Sequence, residues 1–124
     1  MKITSFNPLI VSADAASATK LFEELGFEKT HSKDSVNNDL NYTAVRMKDP
    51  NGFHVDITQS QVLHKDMTII RMNVDDLEEA VALLEKHGFV KGNSGQQVET
   101  SSSKSQFMVS PSGFAINVVK HIRK

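Results

Sequence analysis

The sequence repeats itself, and this duplication restricts the fold more than any other feature of the chain. LFEELGFEK, which begins at Leu21, aligns with LLEKHGFVK, which begins at Leu83, and DPNGFHVDI, from Asp49, aligns with SPSGFAINV, from Ser110. The two pairs have offsets of 62 and 61 positions. Because two dissimilar motifs recur in one order at nearly one offset, we predict two copies of a single supersecondary unit.

Each copy contains an apolar stripe at helical spacing. The first predicted helix runs from Asp14, a residue suited to capping its start, to Leu25, which precedes a glycine suited to ending it. The second helix starts after Asp75 or Asp76 and ends before an equivalent glycine. The predicted core-facing residues, three and four positions apart, are Ala18, Leu21, Phe22 and Leu25 in the first helix and Leu77, Ala80, Val81 and Leu84 in the second.

Strands are predicted before and after each helix. Residues 3–11 form the first strand, and in residues 69–74 Ile70, Met72 and Val74 should pack on the second helix. Two Pro- and Gly-containing turns, at 49–52 and 110–113, each join two further strands. The predicted fold class is α+β, with two tandem βαβββ modules at 1–60 and 66–122 within a single domain, 1–124.

Bulk properties exclude several classes of partner. The formal net charge is −1, and the basic residues form no cluster beyond the chain end, so we expect no nucleic-acid or membrane-surface partner. Cysteine is absent, which excludes disulfides and thiol catalysis. The sequence shows neither a signal-peptide core nor an apolar run long enough to span a membrane, and we expect a cytoplasmic protein.

These residues together resemble the vicinal oxygen chelate superfamily, which includes glyoxalase I, extradiol dioxygenases, and fosfomycin- and bleomycin-resistance proteins. The resemblance covers essentially the whole chain and rests on LGF from Leu25, HGF from His87, VDD from Val74 and the two Pro-x-Gly turns. It implies curved sheets around a central cavity, with the helices outside. In the metal-dependent branch, the first and last strands of each module each supply one ligand to a divalent ion.

The metal-ligand positions implied by the resemblance fall at Phe6 and Ile69 in the first strands and at Asp56 and Asn117 in the last strands. Phenylalanine and isoleucine cannot ligate a metal, and an amide is a weak neutral ligand. A shift of one residue offers Ser5 or Asn7 and Thr68 or Ile70 instead, which restores no site. We therefore expect no cofactor and no divalent metal.

The resemblance also indicates which side chains face the cavity, because residues two apart on a strand point the same way. The predicted ligand-binding residues are Phe6, His54, Asp56, Ile69, Arg71 and Asn117. The predicted apolar wall is Phe6, Pro8, Ile10, Ile69 and Val119. A few polar groups in an apolar surface are typical of small-molecule sites.

His54 and Asp56 are the catalytic candidates, as a general base oriented by a carboxylate. The alternative is that Asp56 pairs with Arg71, or that Arg71 holds an anionic ligand in bidentate fashion. Of the other histidines, His31, His64 and His121 are expected to be solvated, and His87 lies in the last turn of a helix, where the dipole favours a cation.

Three functions remain open from the sequence. The preferred hypothesis is a metal-independent binding protein, similar to bleomycin-resistance proteins, that sequesters a small organic molecule between its modules and forms a homodimer. The alternative is an enzyme, a glyoxalase-like lyase or isomerase or a dioxygenase relative with a displaced metal site. The third is a structural module without a ligand. The resemblance alone does not decide among them, since fold does not fix function.

Overall fold

A computed structural model describes residues 1–34, 43–60, 65–92 and 95–122, with the backbone alone at 31–34 and 43. The chain divides into two compact units. The first unit is Asn7–Thr68, and the second unit is Ile69–Lys124 together with Met1–Phe6. The division falls inside the first strand, between Phe6 and Asn7. The predicted module bounds, 1–60 and 66–122, stay a prediction.

The first unit has the predicted β-α-β-β-β order. Its elements are β1 (Ile3–Ser12, whose first residues belong to the second unit), α1 (Ala15–Glu24), β2 (Glu28–Asp34), β3 (Thr43–Lys48) and β4 (His54–Gln59). The strand order is β2-β3-β4-β1. Strand β1 runs parallel to β4, whereas β2, β3 and β4 are antiparallel neighbours.

The second unit repeats this order with one short additional strand. Its elements are β5 (Met67–Val74), α2 (Leu77–Lys86), β6 (Val90–Lys91), β7 (Val98–Glu99), β8 (Ser103–Val109) and β9 (Ala115–His121). The order β5-β9-β8-β6 mirrors that of the first unit, with β7 paired to β8 and β5 parallel to β9. The predicted α+β fold class is confirmed. Neither described helix has the length and apolarity needed to cross a membrane.

Both helices are capped by an aspartate. The Asp14 carboxylate accepts hydrogen bonds from the Ser17 hydroxyl at 2.6 Å and the Ser17 backbone N–H at 3.2 Å, and these bonds lower the pKa of Asp14. Asp76 caps α2 by accepting from the Glu79 backbone N–H at 3.0 Å. Of the two predicted alternatives for α2, Asp76 is therefore the cap, and Asp75 instead accepts from the backbone N–H of Lys2.

The two hairpin turns also have the predicted geometry. Gly52 has φ +90° and donates its N–H to the Asp49 carbonyl at 3.1 Å. Gly113 has φ +109° and donates to the Ser110 carbonyl at 3.1 Å. Such positive φ values favour glycine, so these two turns set the pairing of β3 with β4 and of β8 with β9.

In the first unit, α1 packs on alternate residues of the sheet. The cluster contains Ala15, Met47, Val55 and Ile57, with Ile10, Ala18, Val45, Phe22 and Phe27 packed against it. The prediction for α1 is wrong at two positions, because Leu21 is 53% exposed and Leu25 is 62% exposed. Ala15 and Thr19 take the buried positions instead, so the buried stripe is displaced around the helix by part of a turn.

In the second unit, the predicted packing is confirmed. Leu77, Ala80 and Val81 are buried, and Leu84 packs against the same cluster. Strand β5 turns Met72 and Val74 towards this cluster. The other helix-side residues are Ile70, Met108, Ile116, Val118 and Phe89. The opposite face of β5 therefore carries the residues at odd-numbered positions, including Ile69 and Arg71.

Gln106 interrupts this second core with a buried amide. It is fully buried, and its cross-strand partner is Val118, which lies on the α2 side. Its amide nitrogen, Nε2, donates to the Phe107 carbonyl at 3.3 Å, whereas Oε1 has no hydrogen-bond partner among the described residues. The equivalent residue of the first unit is Val45, which faces Ile57. A buried acceptor without a partner costs free energy that valine avoids.

We expect Gln106→Leu to raise the free energy of unfolding by about 1 kcal/mol, because it removes the unpartnered oxygen at similar side-chain volume. The reciprocal change Val45→Gln should lower it by about 1–3 kcal/mol. Urea denaturation of both variants checks the pair. A loss of stability in Gln106→Leu would contradict the cost assigned to the amide.

Candidate functional site

Asp56 lies at the centre of β4, on the sheet face opposite α1. Val55 and Ile57 belong to the α1 cluster, so His54, Asp56 and Thr58 project from the other face. The side chain of Asp56 is only 3% exposed. A buried carboxylate is stable only when cations or hydrogen-bond donors compensate its charge, and its neighbours therefore define what this site can do.

Arg46 and Asn7 provide this compensation. Arg46 Nη1 lies 2.8 Å from Asp56 Oδ2, and Asn7 Nδ2 donates to the same oxygen at 2.6 Å. Arg46 Nη1 also donates to Asn7 Oδ1 at 3.4 Å. Because arginine only donates, this contact turns the amide so that its nitrogen faces the carboxylate. We call these three residues the Asp56 network.

Neither Arg46 nor Asn7 was predicted from the sequence as a partner of Asp56. Arg46 is the direct cross-strand partner of Asp56 on β3. The pairing of Arg46 with Asp56 was predictable from the sequence, because the turn that ends at Gly52 sets the register of the hairpin. The apolar Met47 then identifies the face of β3 that packs on the helix. Asn7 was considered only as a shifted alternative to Phe6.

The face assigned to the first strand from the sequence is wrong. Ile10 packs against the α1 cluster instead of sharing the face of Asp56. Ile10 pairs with Ile57, as Met72 pairs with Val118 in the second unit, so the residue equivalent to Ile69 is Asn7 and not Phe6. Phe6 is 62% exposed. The predicted contact between Phe6 and a ligand stays a prediction, and Asn7 is the β1 residue that contacts Asp56.

His54 occupies the same face as Asp56, at the turn end of β4. It is half-buried, and Lys48 of β3 is its cross-strand partner. Its Nδ1 is buried and has no hydrogen-bond partner among the residues that the structure describes. Its role as a ligand contact or a catalytic base stays a prediction.

In the second unit, Ile69, Arg71 and Asn117 share the face opposite α2. Ile69 is 7% exposed, and Arg71 and Asn117 are direct partners in the pairing of β5 with β9. The predicted pairing of Asp56 with Arg71 joins two separately described units and stays a prediction. Of the remaining histidines, His121 is exposed as predicted, and His87 is also exposed. His64 lies outside the described residues, and the side chain of His31 is likewise not described.

A hydrogen-bonded chain runs from Arg71 to the end of β9. Arg71 Nε donates to Asn73 Oδ1 at 3.0 Å, and Asn73 Nδ2 lies 3.2 Å from His121 Nε2. Because arginine only donates, the amide oxygen of Asn73 must face Arg71 and its nitrogen must donate to His121. His121 Nε2 is therefore the acceptor, and its neutral ring carries the proton on Nδ1.

Comparisons with solved structures find known proteins with a similar fold. Methylmalonyl-CoA epimerase from Mycobacterium tuberculosis superposes with a TM-score of 0.73 at 15% identity, over 98% of this chain and 90% of that one. The Streptomyces coelicolor epimerase in complex with 2-nitronate-propionyl-CoA gives a TM-score of 0.68 at 13% identity, over 98% and 100%. This chain has the vicinal oxygen chelate fold.

Glyoxalase I from Zea mays has the same fold, with a TM-score of 0.67 at 14% identity over 98% of this chain. This chain spans 44% of the length of the maize protein. No family model and no curated protein sequence matches the chain. At these identities, the likeness establishes the vicinal oxygen chelate fold alone.

The residues at the metal-ligand positions implied by the vicinal oxygen chelate fold do not fit a divalent ion. Aligned on the strand pairings, these positions are Asn7, Asp56, Ile69 and Asn117. Ile69 offers no donor atom, and the single carboxylate already holds a guanidinium and an amide on Oδ2. The described residues contain no group of three histidine, aspartate or glutamate side chains placed to hold a metal.

We expect Arg46→Met to lower the free energy of unfolding by about 3 kcal/mol, because it leaves the buried Asp56 carboxylate without its cation. Arg46→Met combined with Asp56→Leu should recover most of this loss, since the double variant buries no charge. Denaturant unfolding of a double-mutant cycle measures both effects. Lys29→Met, at an exposed lysine, is the matched control and should change stability little. A cost below about 1 kcal/mol for Arg46→Met would contradict the ion-pair assignment.

We expect the neutral imidazole of His121 to carry its proton on Nδ1, the reverse of the usual preference of free imidazole, because Asn73 donates to Nε2. The ¹⁵N chemical shifts of the ring at alkaline pH report the tautomer. Asn73→Ala should restore the Nε2–H form, and exposed His87 is the internal control. An Nε2–H tautomer in the unsubstituted protein would contradict the hydrogen-bonded chain.

Proposed function

We propose that this protein is a metal-independent binding protein that sequesters a small organic ligand, in the manner of bleomycin-resistance proteins. The ligand would contact a sheet face opposite a helix; Asp56 and His54 project from that face in the first unit, and Arg71 and Asn117 project from it in the second. The proposed form is a cytoplasmic homodimer. The observation that carries the proposal is the ion pair between Arg46 and Asp56, 2.8 Å apart.

This ion pair opposes metal binding at Asp56, which is a position where the fold implies a metal-ligating side chain. Arg46 carries a permanent positive charge, because a guanidinium does not lose its proton in proteins. A divalent cation bound to Asp56 would have to displace this charge or lie beside it, and either arrangement costs electrostatic energy in a buried site. The network thus favours a scaffold that works without a metal.

The residues of these faces also have the composition of a small-molecule site. Ile69 and Val119 are buried apolar residues of the second unit, and Ala115 lies on the same face of β9. Arg71 and Asn117 add two polar groups to that face. Apolar area of this kind supplies affinity, and sparse polar groups set the orientation of the ligand.

A second candidate is a metal-independent lyase or isomerase, and His54 is the observation that favours it. A half-buried imidazole on the same sheet face as Asp56 is the residue type that most often serves as a general base. Two of the structural relatives are enzymes by name, methylmalonyl-CoA epimerase and glyoxalase I. In this candidate His54 would remove a proton next to a carbonyl group.

Metal analysis and ligand screening separate these proposals. We expect the purified protein to bind no stoichiometric Zn²⁺, Mn²⁺, Ni²⁺ or Fe²⁺ after chelation and reloading, and its Tm to stay unchanged with each ion. A screen of neutral, cationic and anionic small molecules by ¹⁵N NMR should yield saturable ligands that shift the resonances of Ile69 and Asn117. Leu21, exposed on α1, is the internal control and should not shift.

Three outcomes would decide against the binding proposal. A stoichiometric ion that is lost in Asp56→Ala would overturn metal independence. The absence of any saturable ligand would remove the case for binding and favour a structural module. Exchange of the α-proton of an acyl thioester in D₂O that is lost in His54→Phe would establish the enzyme candidate instead.

A further inference from the structure

The polar face of the β3–β4 hairpin continues past the Asp56 network towards the turn. Lys48 and His54 are direct cross-strand partners there, two pairs beyond Arg46 and Asp56. Met47 and Val55 lie on the α1 side, so both side chains project from the same face as Asp56. Residues in such pairs have Cβ atoms about 4.5–5.5 Å apart, within reach of one small ligand group.

The burial of Nδ1 indicates which nitrogen of His54 carries the proton. Nδ1 is buried without an acceptor, and a buried N–H without an acceptor is rarer and costlier than an unused lone pair. The proton of the neutral ring therefore belongs on Nε2. Nε2 is not among the buried unpartnered atoms and makes no hydrogen bond within the part of the chain that the structure describes, so it retains access to solvent as a donor.

Lys48 supplies a cation beside this donor. Its side chain is exposed, and its ammonium group forms no ion pair or hydrogen bond within the described residues. Asp56 does not neutralise it, because that carboxylate is bound by Arg46. Glu28, the partner of Lys48 on β2, is the carboxylate on the other side and forms no ion pair with it. One ammonium and one imidazole N–H are thus placed next to each other.

We propose that Lys48 and His54 form an oxyanion subsite, which takes the carboxylate or phosphate group of the small organic ligand. The proposal rests on the proposed binding function and names the chemical class of its ligand. An anionic oxygen accepts from Nζ of Lys48 and from Nε2 of His54, and such charge-assisted bonds are stronger than neutral ones.

The test compares three probes of similar shape in ¹⁵N NMR titrations. Benzoate and phenyl phosphate carry the anionic group, and benzamide is the neutral control. We expect both anions to shift the Lys48 backbone and the His54 ring in a saturable manner, at least about tenfold more tightly than benzamide. The anion that binds more tightly identifies carboxylate or phosphate as the natural group. Equal affinity for benzamide and benzoate would overturn the proposal.

Matched charge variants give the second arm. Lys48→Met should weaken benzoate binding by about tenfold, whereas Lys29→Met should not, because Lys29 lies opposite Met47 on the α1 side. Glu28→Gln should strengthen binding, since it removes the neighbouring negative charge. Unchanged binding in both Lys48→Met and Glu28→Gln contradicts the subsite. If neutral compounds bind saturably and anions bind no more tightly, the subsite alone is refuted. If no compound of any charge binds, the binding function itself is refuted.

Discussion

The two-residue alternation of the strands is the constraint on which the rest of this structure depends. Val55 and Ile57 in β4, and Ile116 and Val118 in β9, bury their side chains under the two helices. The residues between them must then project from the opposite face, whatever their polarity. This is how a sequence with ordinary apolar content presents Asp56 and Asn117 at equivalent positions of its two units.

Burial of Asp56 in turn requires Arg46 and Asn7. A carboxylate with 3% exposure has lost most of its hydration, and only a cation with hydrogen bonds offsets that loss. Arg46 therefore has the role that a metal ion would have at this position, namely compensation of the charge, but it offers no open coordination position to a substrate. The ion pair that stabilises the buried acid is therefore the basis of the proposed metal-independent binding.

The two copies have diverged most where their side chains are buried and polar. Gln106 replaces the equivalent of Val45 in the core of the second unit, and Asn117 stands where the first unit has Asp56. The residue equivalent to His54 in the second unit is Ala115. The hairpin end that carries Lys48 is therefore polar in the first unit only. Two similar backbones thus present different side chains, because substitutions that leave strand pairing unchanged can occur independently in each copy.

The sequence by itself determined the duplication, the α+β class, the glycine turns, the Asp14 cap and the residues of β5 that face α2, because each depends on local conformation or on short-range periodicity.

Tertiary structure decided three other features. Leu21 and Leu25 fit a helical stripe, yet the sheet covers the Ala15 and Thr19 side of α1. Asn7 rather than Phe6 reaches Asp56, because the face of β1 is set by its pairing with β4. Arg46 became a partner of Asp56 only through cross-strand register, which depends on contacts between residues distant in the chain.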